Sequence, residues 1–359
     1  MRLSDVISEL VEERGLNRDT LKSIICEGIL AAYQKKYEDI PLRAHHESKT
    51  DEVIVEVEKE VVATVCDEDT QISLRKARNI KEDFELGDKL WLPFEGKIGR
   101  IEVLKAKQVI ASKIRSIEAL AVYNEFKDKQ GTIVHGVIHK CERAGWAIKL
   151  QEASAFLPKS LAIPGERCTV GFPVRALLKE VLTEPRNENQ IILDRSSDVF
   201  LRKLFELEIP EVFEKLIEIK KIVRYPGYKS KVAVVSHDTN IDPVGTCVGL
   251  GGARIKPILK ELGGEKIDVI AWTDSIESLV VSALKPAEVD RVEMVSAGEV
   301  NVWVAEDQRS LAIGRMGQNI SLASRLTGVA INLVQSDRSR NDNEQAHIDD
   351  DYGDYGDEK

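Results

Sequence analysis

Hydrophobic spacing divides the chain into stretches of different period. Leu21, Ile24, Ile25, Ile29 and Leu30 share one helical face, so the pattern predicts a helix over 17–37 with Asn17 as its N-cap, after a shorter helical stretch over 6–13. Alternation then predicts strands over 52–59, 61–66 and 90–95. Val103, Ile110, Ile114, Ile117, Leu120, Val122 and Phe126 mark one long helix over 99–127. Five short strands follow, over 132–140, 146–150, 155–157, 174–181 and 190–193, punctuated by Gly145, Pro158, Pro164, Gly165 and Gly171. That many short strands in a small segment suits an OB-type barrel.

From about residue 199 the order is helix (199–207), strands (217–224 and 231–236), a helix opened by Pro243, a helix over 254–262 stopped by Gly263 and Gly264, and a strand over 266–272. The same order returns as 276–284, 289–295, 300–305, 308–313, 319–326 and 329–334. At the centre of each copy stands a GxxG turn, Gly249-Leu250-Gly251-Gly252 and Gly314-Arg315-Met316-Gly317, 65 residues apart. Val248 matches Ile313, Ile255 matches Ile320 and Gly263 matches Gly328 at that offset, so the repeat extends beyond the glycines.

A GxxG turn between helices suits a nucleic-acid backbone. Glycine lets a phosphodiester approach the peptide closely, and the following helix start offers N–H groups and a positive dipole end. Bases would lie over Val248, Ile255 and Ile258 in one copy, and over Ile313, Ile320 and Leu322 in the other. Arg254, Arg315 and Arg325 are the candidate phosphate cations, with Asn319 beside the second turn. In the barrel segment, Trp146, Phe156 and His139 are candidates for base stacking and Arg195 for a phosphate contact. Trp146 and Phe156 have an equally simple alternative role as barrel filling.

These motifs carry a family resemblance. Each repeat resembles the KH RNA-binding module in its bacterial order, on the runs Asn240–Gly249 with Glu261–Val269 and Ala312–Asn319 with Leu326-Thr327-Gly328. The barrel segment resembles the S1 domain on Gly131–Ile138, Phe156-Leu157-Pro158, Ile163–Glu166 and Gln190–Arg195, and Lys203–Val212 resembles a bridge from S1 into KH. Gly99-Arg100-Ile101, Ala106–Ile110 and Val122–Asp128 resemble the end of the amino-terminal domain of the NusA family of bacterial transcription factors, which also carries the S1-KH-KH arm. Both turns depart from that pattern: Leu250 and Gly251 stand where the family usually has a basic residue, and Met316 where it has a small one.

The resemblance implies a multidomain α+β chain. Residues 1–129 would be an α/β RNA polymerase-binding domain with a long connecting helix, 130–198 an S1 OB-fold barrel, 199–273 and 274–337 tandem type II KH domains, and 338–359 a disordered acidic tail. It implies a monomeric cytoplasmic factor that binds core RNA polymerase, nascent single-stranded RNA and other antitermination factors, and modulates pausing, intrinsic termination and antitermination. A ribosome-associated single-strand RNA binder without polymerase contact is the alternative. Lys35-Lys36-Tyr37 closes the second helix, where its cations complement the helix dipole.

Charge refines this picture. The net charge of -10 divides into -4 over 1–129, +1 over 130–340 and -7 over 341–359, so the RNA arm is balanced rather than basic. Weak, salt-sensitive single-strand binding is expected. The five cysteines are scattered singly, which suggests free thiols in a reducing compartment. His135 and His139 would lie ~13 Å apart on a strand, too far to share a metal unaided. No Walker loop, HExxH or zinc spacing occurs, so no enzyme, cofactor or metal is expected. No apolar run approaches the ~20 residues of a membrane span.

Overall fold

The structure is a computed structural model that describes residues 11, 17–47, 50–81, 83–151, 153–166, 168–186 and 189–336. The helix expected over 6–13 and the acidic tail over 338–359 lie outside the described residues, apart from Val11. The chain divides into two compact units, Met1–Val122 and Tyr123–Lys359.

In the first unit, α1 (Arg18–Lys36) starts where the Asn17 side chain accepts the Asp19 N–H at 2.8 Å. Its buried Leu21, Ile24 and Ile25 pack on Ile110, Ile114 and Ile117 of the long helix α3. Gly28 permits the close approach, because a Cβ there would run into the Ile110 side chain. The sheet comprises β1 (Leu42–Glu47), β2 (Glu52–Val62), β3 (Gln71–Ser73) and β4 (Lys89–Pro93), with the short α2 (Leu74–Arg78) after β3. β2 pairs antiparallel with β1 and β4 and parallel with β3. The separate strand expected over 61–66 is not formed: β2 runs on through Val62, and the Cys66 N–H donates to the Gln71 side chain in a turn. β1 was not anticipated because its sequence, LRAHHE, has only Leu42 and Ala44 to bury, against Val57 and Val55. The long helix α3 is Arg100–Phe126.

The second unit begins with β5 (Ile133–Cys141), β6 (Gly145–Lys149), β7 (Ser154–Pro158), β8 (Pro173–Arg186) and β9 (Asn189–Asp194), closed into a barrel in the order β5-β6-β7-β9-β8. Ile138, Ile148, Ala155, Leu157, Leu178, Ile191 and Leu193 are buried on alternating positions of these strands. β8 runs past the expected end at residue 181, since its pairing with β9 reaches Arg186↔Asn189 through polar positions that carry no hydrophobic signal.

Next come α4 (Asp198–Glu208), α5 (Pro210–Phe213), β10 (Ile217–Tyr225), β11 (Lys229–Ser236), α6 (Pro243–Val248), α7 (Ile255–Glu261) and β12 (Lys266–Ala271). The second copy comprises α8 (Ile276–Leu284), β13 (Arg291–Ser296), β14 (Glu299–Val304), α9 (Glu306–Ile313), α10 (Gln318–Thr327) and β15 (Ala330–Gln335). In both sheets the first two strands are antiparallel and the last pairs parallel with the middle one. The repeat in sequence is therefore a repeat in topology.

The three modules of this unit share their cores. Ile163 and Leu177 of the barrel pack in one apolar cluster with Phe200, Leu204 and Phe205 of α4 and with Val232 and Ile258. Val223, Ala233 and Ile270 of the first copy's sheet join Leu279, Ala283, Val302 and Leu322 of the second copy. All five cysteines are free.

Candidate nucleic-acid interface

Two glycine turns with nearly the same backbone face solvent. The first has Gly249 at φ 75, ψ 166, then Gly251 at φ 58 and Gly252 at φ 79. The second has Gly314 at φ 70, ψ 176, then Met316 at φ 54 and Gly317 at φ 72. The outer glycines of each turn serve different ends. A Cβ on Gly249 would lie 2.9 Å from the Arg254 Cγ, and one on Gly314 2.7 Å from the Asn319 Cβ, so the first glycine lets the turn close against the next helix start. A Cβ on Gly317 would meet nothing within 4 Å, and one on Gly252 nothing nearer than 3.7 Å, so the last glycine is needed for its positive φ and leaves the approach open. Leu250 is 99% exposed and Met316 86% exposed.

The cations around the turns differ from expectation. Arg254 is engaged: its guanidinium meets both carboxylate oxygens of Glu211 at 2.8 Å and the Thr246 carbonyl at 3.1 Å, bracing the first turn against α5. Burial raises the Glu211 carboxyl pKa, but its own backbone N–H and Arg254 outweigh that and hold it below the usual value. Ile255 is buried in the core shared with the barrel and is not a base platform. Asn319 is buried too; its amide donates to the carbonyls of Leu284, Leu311 and Ala312 and accepts from Lys229 at 3.1 Å. It therefore positions the second turn rather than reaching a strand. Arg315 is exposed on that turn. Arg325 is also exposed, stacked 5.2 Å from the Tyr225 ring centre.

Arg195 requires a plain correction. It is 1% exposed and cannot reach a phosphate; it pairs with Glu166 of the barrel and Glu261 of α7 and donates to the Arg175 carbonyl. Burial lowers its pKa, and the two carboxylates more than reverse that. Beside it, Arg224 pairs with the buried Glu265 at 2.8 Å and donates to the carbonyls of Arg195 and Ser197. These buried pairs tie the barrel to the first copy of the repeat.

The two copies of the repeat are tied in turn by the Lys229–Asn319 bond and by the Tyr225 and Ser321 hydroxyls at 2.8 Å. Lys229 and Lys231 share Asp268, and burial, opposed by Asp268, lowers the Lys231 pKa. Alongside this junction runs a groove of about 1120 Å³, lined among others by Val244, Lys266, Val269, Lys285 and Val289. Lys229, Lys266 and Lys285 were not picked out from sequence, because each is a single cation at an element end and only the fold gathers them.

On the barrel, strand register separates the aromatic candidates. Trp146 pairs with Leu157, on the face that buries Ile148 and Ala155, and is half-buried there. Phe156 pairs with Ala147 on the outer face and lies over Gly145, where a Cβ would come within 2.8 Å of its ring. His139 is exposed at the irregularity between Ile138 and Lys140. Phe156 and His139 are thus the barrel candidates presented outward.

Comparison with known proteins follows the same division. The chain matches the family described as NusA N-terminal domain over residues 2–119, NusA-like first KH domain over 195–272 and NusA-like second KH domain over 276–341. It is similar to "Transcription termination/antitermination protein NusA" of Rickettsia conorii, at 34% identity over 95% of this chain and 70% of that one. The protein of that name from Thermus thermophilus is 32% identical over 93% of this chain and 90% of its own length. That from Bacillus subtilis is 31% identical over 94% and 92%.

Proposed function

The chain belongs to the NusA family of transcription termination/antitermination proteins, and from that premise we propose that it holds nascent RNA across its two glycine turns while residues 1–129 dock on RNA polymerase. The observation that carries the RNA half is the pair of matched turns: two exposed GxxG bends of one backbone conformation, mounted on domains that share a core. One single strand would meet both turns, its phosphates on the peptide and its bases over Val248, Ile313 and Ile320, which keep partial exposure.

Tethering explains why a charge-balanced arm suffices. Once the first domain sits on polymerase, the emerging transcript meets the arm at high effective concentration, and weak contacts are enough. Holding the transcript changes how readily it folds or advances behind the polymerase, which links binding to pausing, termination and antitermination. We read the factor as a monomeric, cytoplasmic binding protein that carries out no chemical step itself and works with other antitermination factors. Among the described residues no helix is long and apolar enough to cross a membrane. Family membership favours this reading over a ribosome-bound RNA binder.

Gly317→Asp tests it cleanly, since Asp tolerates a positive φ and the site is open. It should weaken single-strand RNA binding at least tenfold, reduce the effect on pausing and leave binding to core polymerase unchanged. Full RNA affinity in this variant would remove the second turn from the account. Gly314 is a poorer target because its substitution strikes Asn319 and disturbs the fold as well.

A further inference from the structure

Two of the five cysteines meet at the rim of the barrel. The antiparallel pairing of β5 with β8, Val137 opposite Pro173, continues outward: the Ile138 N–H donates to the Phe172 carbonyl at 3.0 Å, and the Gly171 N–H to the Ile138 carbonyl at 2.8 Å. Further along, at the last residue of β5, the Cys141 thiol donates to the Cys168 carbonyl at 3.5 Å. A hydrogen-bonded backbone therefore holds the two residues side by side. Cys141 is exposed and Cys168 partly exposed, whereas Cys26 and Cys247 are buried. Cys168 stands two residues after Glu166, the barrel carboxylate that grips Arg195, and Arg195 reaches on to Glu261 of α7.

We propose that Cys141 and Cys168 form a modification site, a dithiol that hydrogen peroxide closes to a disulfide, fastening the segment after Glu166 to the end of β5. The Cys141 thiolate attacks one peroxide oxygen, the O–O bond breaks, and a sulfenic acid and hydroxide result. The Cys168 sulfur then attacks the Cys141 sulfur. As the S–S bond forms, the S–O bond breaks, and the departing hydroxide takes the Cys168 proton as water. Two thiols and one peroxide thus give one disulfide and two waters, with two electrons passing from sulfur to oxygen. The roles follow from exposure. Cys141 is open to solvent, so the oxidant meets it first. Burial, and next the Glu166 carboxylate, push the Cys168 thiol up to about 11 against the pull of Arg195, so it stays protonated until a sulfenic acid stands beside it. In a reducing compartment the pair rests as thiols, and the bond forms only as peroxide rises. Closing this loop restricts the unfolded chain, so the bonded form is the more stable, at the joint between the barrel and the first copy of the repeat.

The test uses the full chain carrying Cys66→Ser, which removes the exposed thiol of the first unit. After treatment with a small excess of hydrogen peroxide, the remaining thiols are alkylated and a digest is read by mass spectrometry without reductant. One bond, Cys141 to Cys168, is expected, with the unfolding midpoint of the second unit raised by roughly 5–10 °C and restored by dithiothreitol. Cys141→Ser and Cys168→Ser should each abolish the bond and the rise. Before peroxide both should unfold at the temperature of the reduced parent, which verifies the fold. In Cys168→Ser, dimedone should trap a sulfenic acid on Cys141. Oxidation of Cys141 to sulfinic acid in the parent, with Cys168 still open to alkylation, would overturn the proposal. A midpoint that rises equally in the parent and in either serine variant would overturn it as well.

Discussion

Met316 holds φ 54 and ψ 27, a left-handed conformation that Gly251 occupies at φ 58 in the matching turn. For a residue with a Cβ this costs about 1–2 kcal/mol, partly offset against glycine by the greater entropy glycine loses on folding. Met316→Gly should therefore stabilise the second unit by about 1 kcal/mol in urea unfolding, with RNA affinity preserved; a destabilised variant would contradict the strain argument. At this scale the glycines were legible in the sequence, because only a few backbone shapes call for that residue at that spacing. Side-chain roles were not. Arg195 and Arg254 read as phosphate contacts and Asn319 as an RNA contact from their chemistry, yet each is held by at least one partner 43 to 90 residues away that no local pattern reveals.

Elements with a clear period came through well. α8 is formed over the expected span and α4 within a residue of each end, because their buried faces are regular and Ser275 and Ser197 cap them. β1, β3 and the outer end of β8 escaped notice because they are held by pairing to a neighbour rather than by an apolar face. What binds elements into modules was equally hidden. Arg195 lies just beyond β9 and clamps Glu166 of the barrel to Glu261 of α7, with all three side chains largely out of solvent. Arg195→Ala should cost about 3–5 kcal/mol, because it strands two carboxylates at a closed joint. Chemical denaturation should show the loss, while RNA affinity measured well below the unfolding temperature should fall much less than it does for Gly317→Asp. A variant as stable as wild type would mean the joint is held by its apolar contacts alone.

At the level of the whole molecule, the order of modules was legible from the repeat, the barrel punctuation and the long helix, whereas their fusion was not. Sequence presents barrel and KH copies as consecutive segments; the fold gives them common cores, with Ile163 and Leu177 on one side and Val223, Ala233 and Ile270 on the other. Fusion matters to function because two turns on one frame can act on one strand, each raising the effective concentration of RNA at the other. The most direct measurement is the affinity of a single-stranded RNA long enough to span both turns, compared among wild type, Gly252→Asp, Gly317→Asp and the double variant. The account predicts at least a tenfold loss for each single variant and near-complete loss for the pair, with polymerase binding retained throughout. Wild-type affinity in the double variant would contradict it.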